Sequence, residues 1–206
     1  MNFDLSLYLV TDRPLSKGRS LEWIVEEAVK GGVTMVQLRE KDCSTRDFLE
    51  LAIRLKKTLK QYDVPLLIND RLDIVLASDA DGLHIGQSDM PYNIARKLLG
   101  YDKIIGLSVE TISQAKEANL MDVDYIGISP VFSTATKTDI KTPLGLEGIK
   151  EISLFTKHPM VGIGGIYDGN AKAVIDAGAT GVSVVSAIIA ADDPAKAASI
   201  IKQQMK

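Results

Sequence analysis

Eight short apolar runs alternate along the chain with segments of helical periodicity, and this alternation limits the fold more than any other feature. Nearly continuous aliphatic runs of this kind are typical of parallel strands that are buried on both faces. The clearest helical segment places four apolar side chains on one face, behind a capping box formed by Ser44 and Asp47. We predict strands at Leu5–Thr11, Thr34–Leu38, Leu66–Ile68, Gly82–Ile85, Ile104–Leu107, Tyr125–Ile128, Met160–Ile163 and Gly181–Val184.

The number and spacing of these strands predict an α/β fold, a (β/α)8 TIM barrel. Eight strand–helix units in 206 residues make a compact but sufficient barrel. An open, doubly wound sheet is the main alternative. The even spacing and the absence of a linker favour the closed barrel and a single domain over residues 1–206.

The composition excludes several classes of partner. The chain carries 24 Lys and Arg against 27 Asp and Glu, with no basic run, which argues against a general nucleic-acid binder. It has no apolar segment long enough to cross a bilayer, and its N-terminus lacks the pattern of a signal peptide. The single cysteine, Cys43, cannot form an internal disulfide. We therefore predict a cytoplasmic protein without a membrane partner, and leave open whether it is a homo-oligomer.

In such a barrel, the loops that follow the C-terminal ends of the strands carry the chemistry. Polar residues or glycines lie at these positions after seven of the eight predicted strands. In strand order they are Gln37, Arg39 and Lys41; Asn69 and Asp70; Gln87 and Asp89; Ser108; the loop from Ser129 to Pro143; Gly164 and Gly165; and Ser186. The predicted rim of the barrel is therefore also the predicted ligand site.

The residues at the end of the second strand indicate an anion site. Gln37 and Arg39 lie on the same side of an extended chain, and Lys41 continues that side. Arginine offers a planar fork to phosphate oxygens, while lysine offers a mobile point charge. The alternative is a solvated charged loop, but three donors at one strand end favour anion binding.

Asp70 and Asp89 follow neighbouring strands and are candidates for a Mg²⁺ site. Magnesium is typically held by one or two carboxylates together with substrate phosphates. The alternative is helix capping, because each aspartate comes shortly before a helical segment. For either residue alone, capping is the stronger interpretation, and the cations on the adjacent strand favour the metal site for the pair.

Glycines at the seventh strand indicate a phosphate site. Gly164 and Gly165 let the backbone approach an anion closely, and Ser186 follows the eighth strand, where barrel phosphate sites are frequent. The alternative is an ordinary turn. The hydroxyl-rich loop from Ser129 to Pro143 is either a binding lid or a disordered segment, and its composition does not decide between them.

The remaining reactive residues carry weaker signals. We predict that His84 is a packed core histidine rather than a base, that His158 lies in a surface loop, and that Trp23 packs on the barrel from a helix. Cys43 has no evident catalytic partner. Two histidines and one cysteine provide no cluster of zinc ligands.

At these motifs, the chain closely resembles the thiamine phosphate synthase family, also called thiamine-phosphate pyrophosphorylase. The resemblance covers almost the whole chain, in ordered motifs at matching spacing. They are Tyr8 to Asp12, Gln37 to Lys41, Asn69-Asp70, His84 to Gln87, Ser133 to Lys137, Gly162 to Ile166 and Val184 to Ser186. The resemblance implies a TIM barrel that transfers the pyrimidinylmethyl group of hydroxymethylpyrimidine pyrophosphate to the nitrogen of a thiazole phosphate. Pyrophosphate is released.

The resemblance also implies roles for individual residues. The pyrimidine pyrophosphate would contact Gln37, Leu38, Arg39, Glu40, Lys41, Asn69, Ser108 and Lys137. The thiazole phosphate would contact Thr134, Ala135, Thr136, Gly165, Val185 and Ser186, and Asp70 and Asp89 would hold Mg²⁺. The implied catalytic residues are Arg39, Lys41, Ser108 and Lys137, of which the three cations would stabilise the leaving pyrophosphate.

Two other functions are alternatives. A related thiazole tautomerase shares the barrel and much of the phosphate site, but it transfers a proton and has little use for paired carboxylates. A non-catalytic protein that binds a phosphorylated ligand belongs to a different class. The complete Asp70 and Asp89 pair and the run from Thr134 to Lys137 favour the synthase over the tautomerase, and the presence of every expected charged position favours it over the binding protein.

Overall fold

Eight parallel strands form a closed barrel in the computed structural model, which describes residues 3–133 and 143–206. The strands are β1 (Leu7–Val10), β2 (Met35–Leu38), β3 (Leu66–Asn69), β4 (Gly82–Ile85), β5 (Ile104–Val109), β6 (Tyr125–Ile128), β7 (Met160–Ile163) and β8 (Gly181–Val184). They pair in chain order, and Tyr8 of β1 lies beside both Met35 of β2 and Ser183 of β8. This closure confirms the predicted barrel and excludes the open sheet.

Helices surround the barrel. They are α1 (Leu21–Lys30), α2 (Thr45–Leu59), α3 (Leu72–Ser78), α4 (Tyr92–Leu99), α5 (Ile112–Ala118), α6 (Gly145–Ser153), α7 (Ala171–Asp176), α8 (Ser186–Ile189) and α9 (Pro194–Gln204), with short 3₁₀ turns at Pro14–Ser16 and Lys60–Tyr62. Among the described helices, none has the length and apolarity that a bilayer crossing requires.

Helix α2 shows how the sequence places a helix on the barrel. Its predicted apolar face, from Phe48 to Leu59, is buried against the sheet and α3. Ser44 caps the helix as predicted, because its Oγ accepts a hydrogen bond from the Asp47 N–H at 3.1 Å. The Asp47 carboxylate accepts from the Ser44 hydroxyl at 2.7 Å, whereas in a capping box it would accept from the Ser44 N–H.

Ser44→Ala is expected to lower the free energy of unfolding by about 1 kcal/mol, because it removes the oxygen that caps α2. Urea unfolding followed by circular dichroism measures this change. Ser113→Ala is the matched control, since Ser113 lies inside α5 and its hydroxyl donates to the exposed Glu117 side chain rather than to a helix N–H. Equal stability of the two variants would contradict a capping role for Ser44.

Side chains at alternate strand positions fill the barrel interior, as the period of a strand requires. Towards the N-terminal ends of the strands, one apolar cluster closes the interior. It consists of Leu5, Tyr8, Met35, Leu67, Ile104, Tyr125 and Val161. The strand residues between these positions, such as Leu7 and Leu9 of β1, pack outwards against the helices. The interior is therefore closed at the N-terminal ends of the strands and open at their C-terminal ends.

Two of the weaker predictions are wrong. Trp23 is 44% exposed and lies under the Arg19 guanidinium, because α1 already covers the barrel with smaller apolar residues on its other side. His158 is buried, and its Nε2 is 3.0 Å from the Ala118 carbonyl oxygen. The imidazole anchors the segment before β7 to the end of α5.

Candidate active site

A cavity of about 600 Å³ opens at the C-terminal ends of the strands and is lined by residues from all eight. It is lined by ten of the predicted site residues, which are Gln37, Arg39, Lys41, Asn69, Asp70, Asp89, Ser108, Gly165, Val185 and Ser186. Its floor is formed by Tyr8 and Val161 from the interior apolar cluster. Residues that are far apart in the sequence therefore line a single cavity.

Two predicted contact residues do not line this cavity. Leu38 is fully buried among apolar residues on the helix side of β2. The Glu40 side chain is 3% exposed, and its Oε2 accepts a hydrogen bond from Arg13 Nε at 2.9 Å. Strand alternation explains the position of Leu38, since Gln37 takes the inward-facing place, and the ion pair with Arg13 holds Glu40 beyond the end of the strand.

Four predicted residues lie outside the described ranges. They are Thr134, Ala135, Thr136 and Lys137. Their implied roles stay predictions.

Asp70 and Asp89 form a carboxyl pair on one side of the cavity mouth. Their carboxyl groups share a hydrogen bond, and Asp70 Oδ2 also accepts one from Lys41 Nζ at 2.7 Å. Burial raises the pKa of Asp70, but the hydrogen bonds from Lys41 and Asp89 outweigh burial and leave the pKa lowered. Burial and the Asp70 carboxyl raise the pKa of Asp89, although the Gly86 N–H opposes them. The environments of the two carboxyl groups therefore move their pKa values in opposite directions.

The capping interpretation of these aspartates is wrong. The N-cap positions of α3 and α4 are Arg71 and Pro91, and neither helix has a side-chain cap. Asp89 instead accepts the Gly86 N–H at 2.7 Å, and Asp70 has a φ of 61°, in the left-handed region that L-residues rarely adopt. Both side chains are thus directed by their loops towards the cavity that they line.

Oxygen donors from this pair match the ligands that Mg²⁺ prefers. The described residues contain no group of three or more acidic, histidine or cysteine side chains that could enclose a metal on their own. A site with two carboxylates suits a cation that takes its remaining ligands from substrate phosphates and water. The residues present therefore fit the predicted cation.

Arg39 lines the same cavity as the carboxyl pair and is held by Thr11 and Asp12. Its backbone N–H donates to Thr11 Oγ1 at 2.9 Å, and its Nη1 lies 3.7 Å from the Asp12 carboxylate. The Lys41 side chain is half exposed at the mouth. The cations thus lie within reach of an anion in the cavity, with Arg39 the more fixed of the two.

The opposite wall contains the predicted phosphate loop. Gly164 and Gly165 have φ values of 105° and 64°, and a Cβ on Gly165 would lie 2.7 Å from the Ser133 carbonyl oxygen. Asn170 Nδ2 donates to the Gly165 carbonyl oxygen at 2.9 Å and holds the loop. Glycine is therefore required here by both conformation and space.

Comparison with known proteins decides which family carries this arrangement. The family model for thiamine monophosphate synthase matches residues 7–188 of the chain. This chain belongs to the thiamine monophosphate synthase family. The resemblance seen in the sequence motifs is confirmed.

Members of this family are similar to the chain over nearly its whole length. The thiamine-phosphate synthase of Clostridium novyi (strain NT) is 52% identical over 193 residues, which cover 94% of this chain and 95% of that protein. The enzyme of the same name from Syntrophomonas wolfei is 54% identical over 193 residues, covering 94% and 92%. The structure of thiamine phosphate pyrophosphorylase from Pyrococcus furiosus aligns with a TM-score of 0.89 at 37% identity, covering 98% and 95%. The predicted enzyme class, a thiamine-phosphate synthase, is confirmed by these relatives.

Four polar side chains of the barrel interior have no site role in the sequence prediction, and three of them, Tyr8, His84 and Ser183, line the cavity. Tyr8 and Tyr125 meet inside the barrel, and His84, predicted to be simply packed, lines the cavity and is hydrogen-bonded on both ring nitrogens. Ser183 lines the cavity with a buried hydroxyl that has no hydrogen-bond partner within residues 3–133 and 143–206. A polar residue in an otherwise aliphatic strand is the signal that marks each of them.

Proposed function

We propose that the cavity joins hydroxymethylpyrimidine pyrophosphate to a thiazole phosphate, giving thiamine phosphate and pyrophosphate. The observation that carries this proposal is the convergence of the Asp70 and Asp89 pair, the cations Arg39 and Lys41, and the Gly164–Gly165 loop on one cavity. A pyrophosphate and a phosphate need two anion sites that face each other, and the cavity walls supply both kinds of group.

The proposed substrate sites lie on opposite walls. Gln37, Arg39, Lys41, Asn69 and Ser108 would bind the pyrimidine pyrophosphate, and Gly165, Val185 and Ser186 would bind the thiazole phosphate. Family resemblance adds Lys137 to the first set and Thr134, Ala135 and Thr136 to the second. It also adds Leu38 and Glu40, whose side chains point away from the cavity, so that any contact would come from their backbone.

Asp70 and Asp89 would hold Mg²⁺. When bound there, the ion supplies positive charge to the pyrophosphate oxygens. Lys41, which contacts Asp70, is then free to contact the pyrophosphate. The carboxyl pair thus also controls where the Lys41 charge lies.

The proposed reaction begins when the carbon–oxygen bond of the pyrimidine substrate breaks, and the bonding electrons leave with pyrophosphate. Arg39 and Lys41, with Lys137 as the third implied cation, stabilise the negative charge that grows on the leaving group. The pyrimidine amino group delocalises the positive charge left on the methylene carbon. The thiazole nitrogen then donates its lone pair and forms the carbon–nitrogen bond. Because the thiazole phosphate is held at the facing wall, capture precedes attack by water.

We also propose the context in which this enzyme works. Its single cysteine, of intermediate burial, favours a reducing cytoplasm. Its partners are the two small-molecule substrates, without nucleic acid or membrane, and a homo-oligomer is compatible with the proposed reaction because one chain's cavity contains both anion sites.

Turnover by the purified protein tests the proposed function. With both precursors and Mg²⁺, thiamine phosphate and pyrophosphate are expected to form in equal amounts, and excess chelator is expected to abolish both. Incubating the protein with a tautomer of the thiazole phosphate, without the pyrimidine substrate, and following its isomerisation tests the tautomerase alternative. Metal-independent product would contradict the assignment of Asp70 and Asp89, and isomerisation without condensation would contradict the synthase.

A further inference from the structure

A continuous chain of hydrogen bonds crosses the barrel interior beneath the cavity. Gln37 Nε2 lies 2.6 Å from the Tyr8 hydroxyl, which lies 2.9 Å from the Tyr125 hydroxyl. The Tyr125 hydroxyl is 2.7 Å from His84 Nδ1, and His84 Nε2 is 2.9 Å from Ser108 Oγ. The two ends of this chain, Gln37 and Ser108, both line the cavity. We call these five residues the interior chain.

The barrel makes room for the interior chain with two glycines. A Cβ on Gly106 of β5 would overlap the Tyr125 ring, and a Cβ on Gly127 of β6 would lie 3.3 Å from His84 Cε1. The Tyr8 and Tyr125 rings also meet edge to face, at 5.9 Å between centroids. Packing therefore holds the hydroxyls and the imidazole in place independently of their hydrogen bonds.

The number of protons on each residue links the donor and acceptor roles along the interior chain, so that all its hydrogen bonds run in one direction. Both tyrosines are fully buried, and burial raises the pKa of each phenol, so that each hydroxyl keeps one proton. A hydroxyl that accepts from one neighbour can donate only to the next. If Gln37 Nε2 donates to Tyr8, then Tyr8 donates to Tyr125, Tyr125 donates to His84 Nδ1, and His84 Nε2 donates to Ser108.

This direction determines what each end presents to a ligand. The Ser108 oxygen accepts from His84, so its own proton is left to donate into the cavity. The Gln37 amide uses its nitrogen on Tyr8, so its carbonyl oxygen is left to accept. Turning the Gln37 amide over would reverse every bond in the interior chain and exchange the two functions. The ends are thus coupled as one donor and one acceptor.

We infer that the interior chain selects an aminopyrimidine ring by this coupled pattern. An exocyclic amino group donates to the Gln37 carbonyl oxygen, and a ring nitrogen accepts from the Ser108 hydroxyl. Tyr8, Tyr125 and His84 touch neither group and act as positioning residues that fix the polarity of both ends. The inference rests on the proposed function, since it requires that the pyrimidine occupies this cavity.

A substrate analogue tests the coupled pattern directly. In a 4-oxopyrimidine pyrophosphate, the amino donor is replaced by a carbonyl acceptor and the neighbouring ring nitrogen carries a proton, so the edge has the opposite polarity. The wild-type enzyme is expected to prefer the amino substrate in kcat/KM by at least about 100-fold, as is usual when a buried polar pattern is mismatched.

Tyr125→Phe removes two bonds from the middle of the interior chain and keeps the ring. The KM for the amino substrate is expected to rise about 10-fold or more, and the preference over the oxo analogue to fall about 10-fold. The KM for thiazole phosphate is expected to change less than twofold. Tyr101→Phe, which removes an exposed hydroxyl elsewhere, is the matched control. Unchanged preference in Tyr125→Phe, or an equal rise in both KM values, would overturn the inference.

Tyr8→Phe gives a second route if Tyr125→Phe does not fold. It is expected to reduce the same preference for the amino substrate. The double variant is expected to lose little more of this preference than either single variant, because breaking the interior chain at one tyrosine already removes the fixed direction of its hydrogen bonds. Additive losses would show independent contacts and would overturn the inference. A wild-type enzyme that forms no product would instead contradict the proposed function, so the two failures are distinguishable.

Discussion

Asp70→Asn is expected to lower kcat/KM by about 10³-fold, because it removes one of the two carboxylates proposed to hold the cation at the leaving group. The same change releases Lys41, whose ammonium group lies 2.7 Å from Asp70 Oδ2. Loss of the carboxylate weakens the stabilisation of pyrophosphate as the carbon–oxygen bond breaks, and the released Lys41 offsets only part of that loss. Because the asparagine side chain has the same shape and size as aspartate, the fold is expected to be retained.

Measurements at several Mg²⁺ concentrations separate metal binding from structural damage. The concentration for half-maximal activity is expected to rise in Asp70→Asn and in Asp89→Asn, with an unchanged circular dichroism spectrum. Asp176→Asn is the matched control, because Asp176 is an exposed residue of α7 that pairs with Lys172. Wild-type activity and metal dependence in both cavity variants would refute the proposed cation site.

Arg39→Ala is expected to lower kcat by about 10²- to 10³-fold, the usual effect of losing one fixed donor to a developing anion. Arg39 is the more fixed of the two described cations at the mouth, since its backbone is tied to Thr11 and its guanidinium lies 3.7 Å from Asp12. Its charge acts most strongly in the transition state, so kcat should fall more than the KM for thiazole phosphate rises.

Single-turnover kinetics with saturating substrates measures this loss without the influence of product release. Arg39→Lys is expected to recover part of the rate, because it keeps the charge but not the planar fork. Arg54→Ala, at an exposed residue of α2 that pairs with Glu22, controls for the loss of an arginine. A rate close to that of wild type in Arg39→Ala would remove Arg39 from the leaving-group role.

The barrel could be predicted from the sequence because each strand is a local signal. The predicted strands overlap all eight observed ones, since a buried parallel strand reads as a continuous apolar run wherever it occurs. The rim residues followed from the same signal, because the C-terminal strand ends of a barrel share one face. Nine of the ten predicted site residues that line the cavity were found from this signal, and the tenth, Val185, came from the family resemblance.

The differences between sequence and structure come from features that no local pattern encodes. Leu38 and Glu40 belong to a continuous sequence motif, but the Leu38 side chain packs on the helix side of β2 and the Glu40 side chain pairs with Arg13, so neither side chain lines the cavity. The capping interpretation of Asp70 and Asp89 overlooked that a loop can aim a carboxylate inwards through a left-handed residue or a Gly86 N–H. The sequence distance before a helix does not distinguish the two geometries.

The interior chain depends on closure of the barrel. Tyr8 and Tyr125 are 117 residues apart in sequence, and only the pairing of all eight strands brings their hydroxyls to 2.9 Å. His84 looked like a packed histidine because its neighbours Leu83 and Ile85 are apolar. Those neighbours face the helices, while the imidazole faces the interior between Tyr125 and Ser108.

A crystal structure of the protein with thiamine phosphate, pyrophosphate and Mn²⁺ in place of Mg²⁺ tests most directly whether one mouth holds both anions. We expect an anomalous peak between Asp70 and Asp89, pyrophosphate against Arg39 and Lys41, and the product phosphate against the Gly165 and Ser186 amides. A manganese ion bound elsewhere, or either phosphate group bound outside the cavity, would contradict the account.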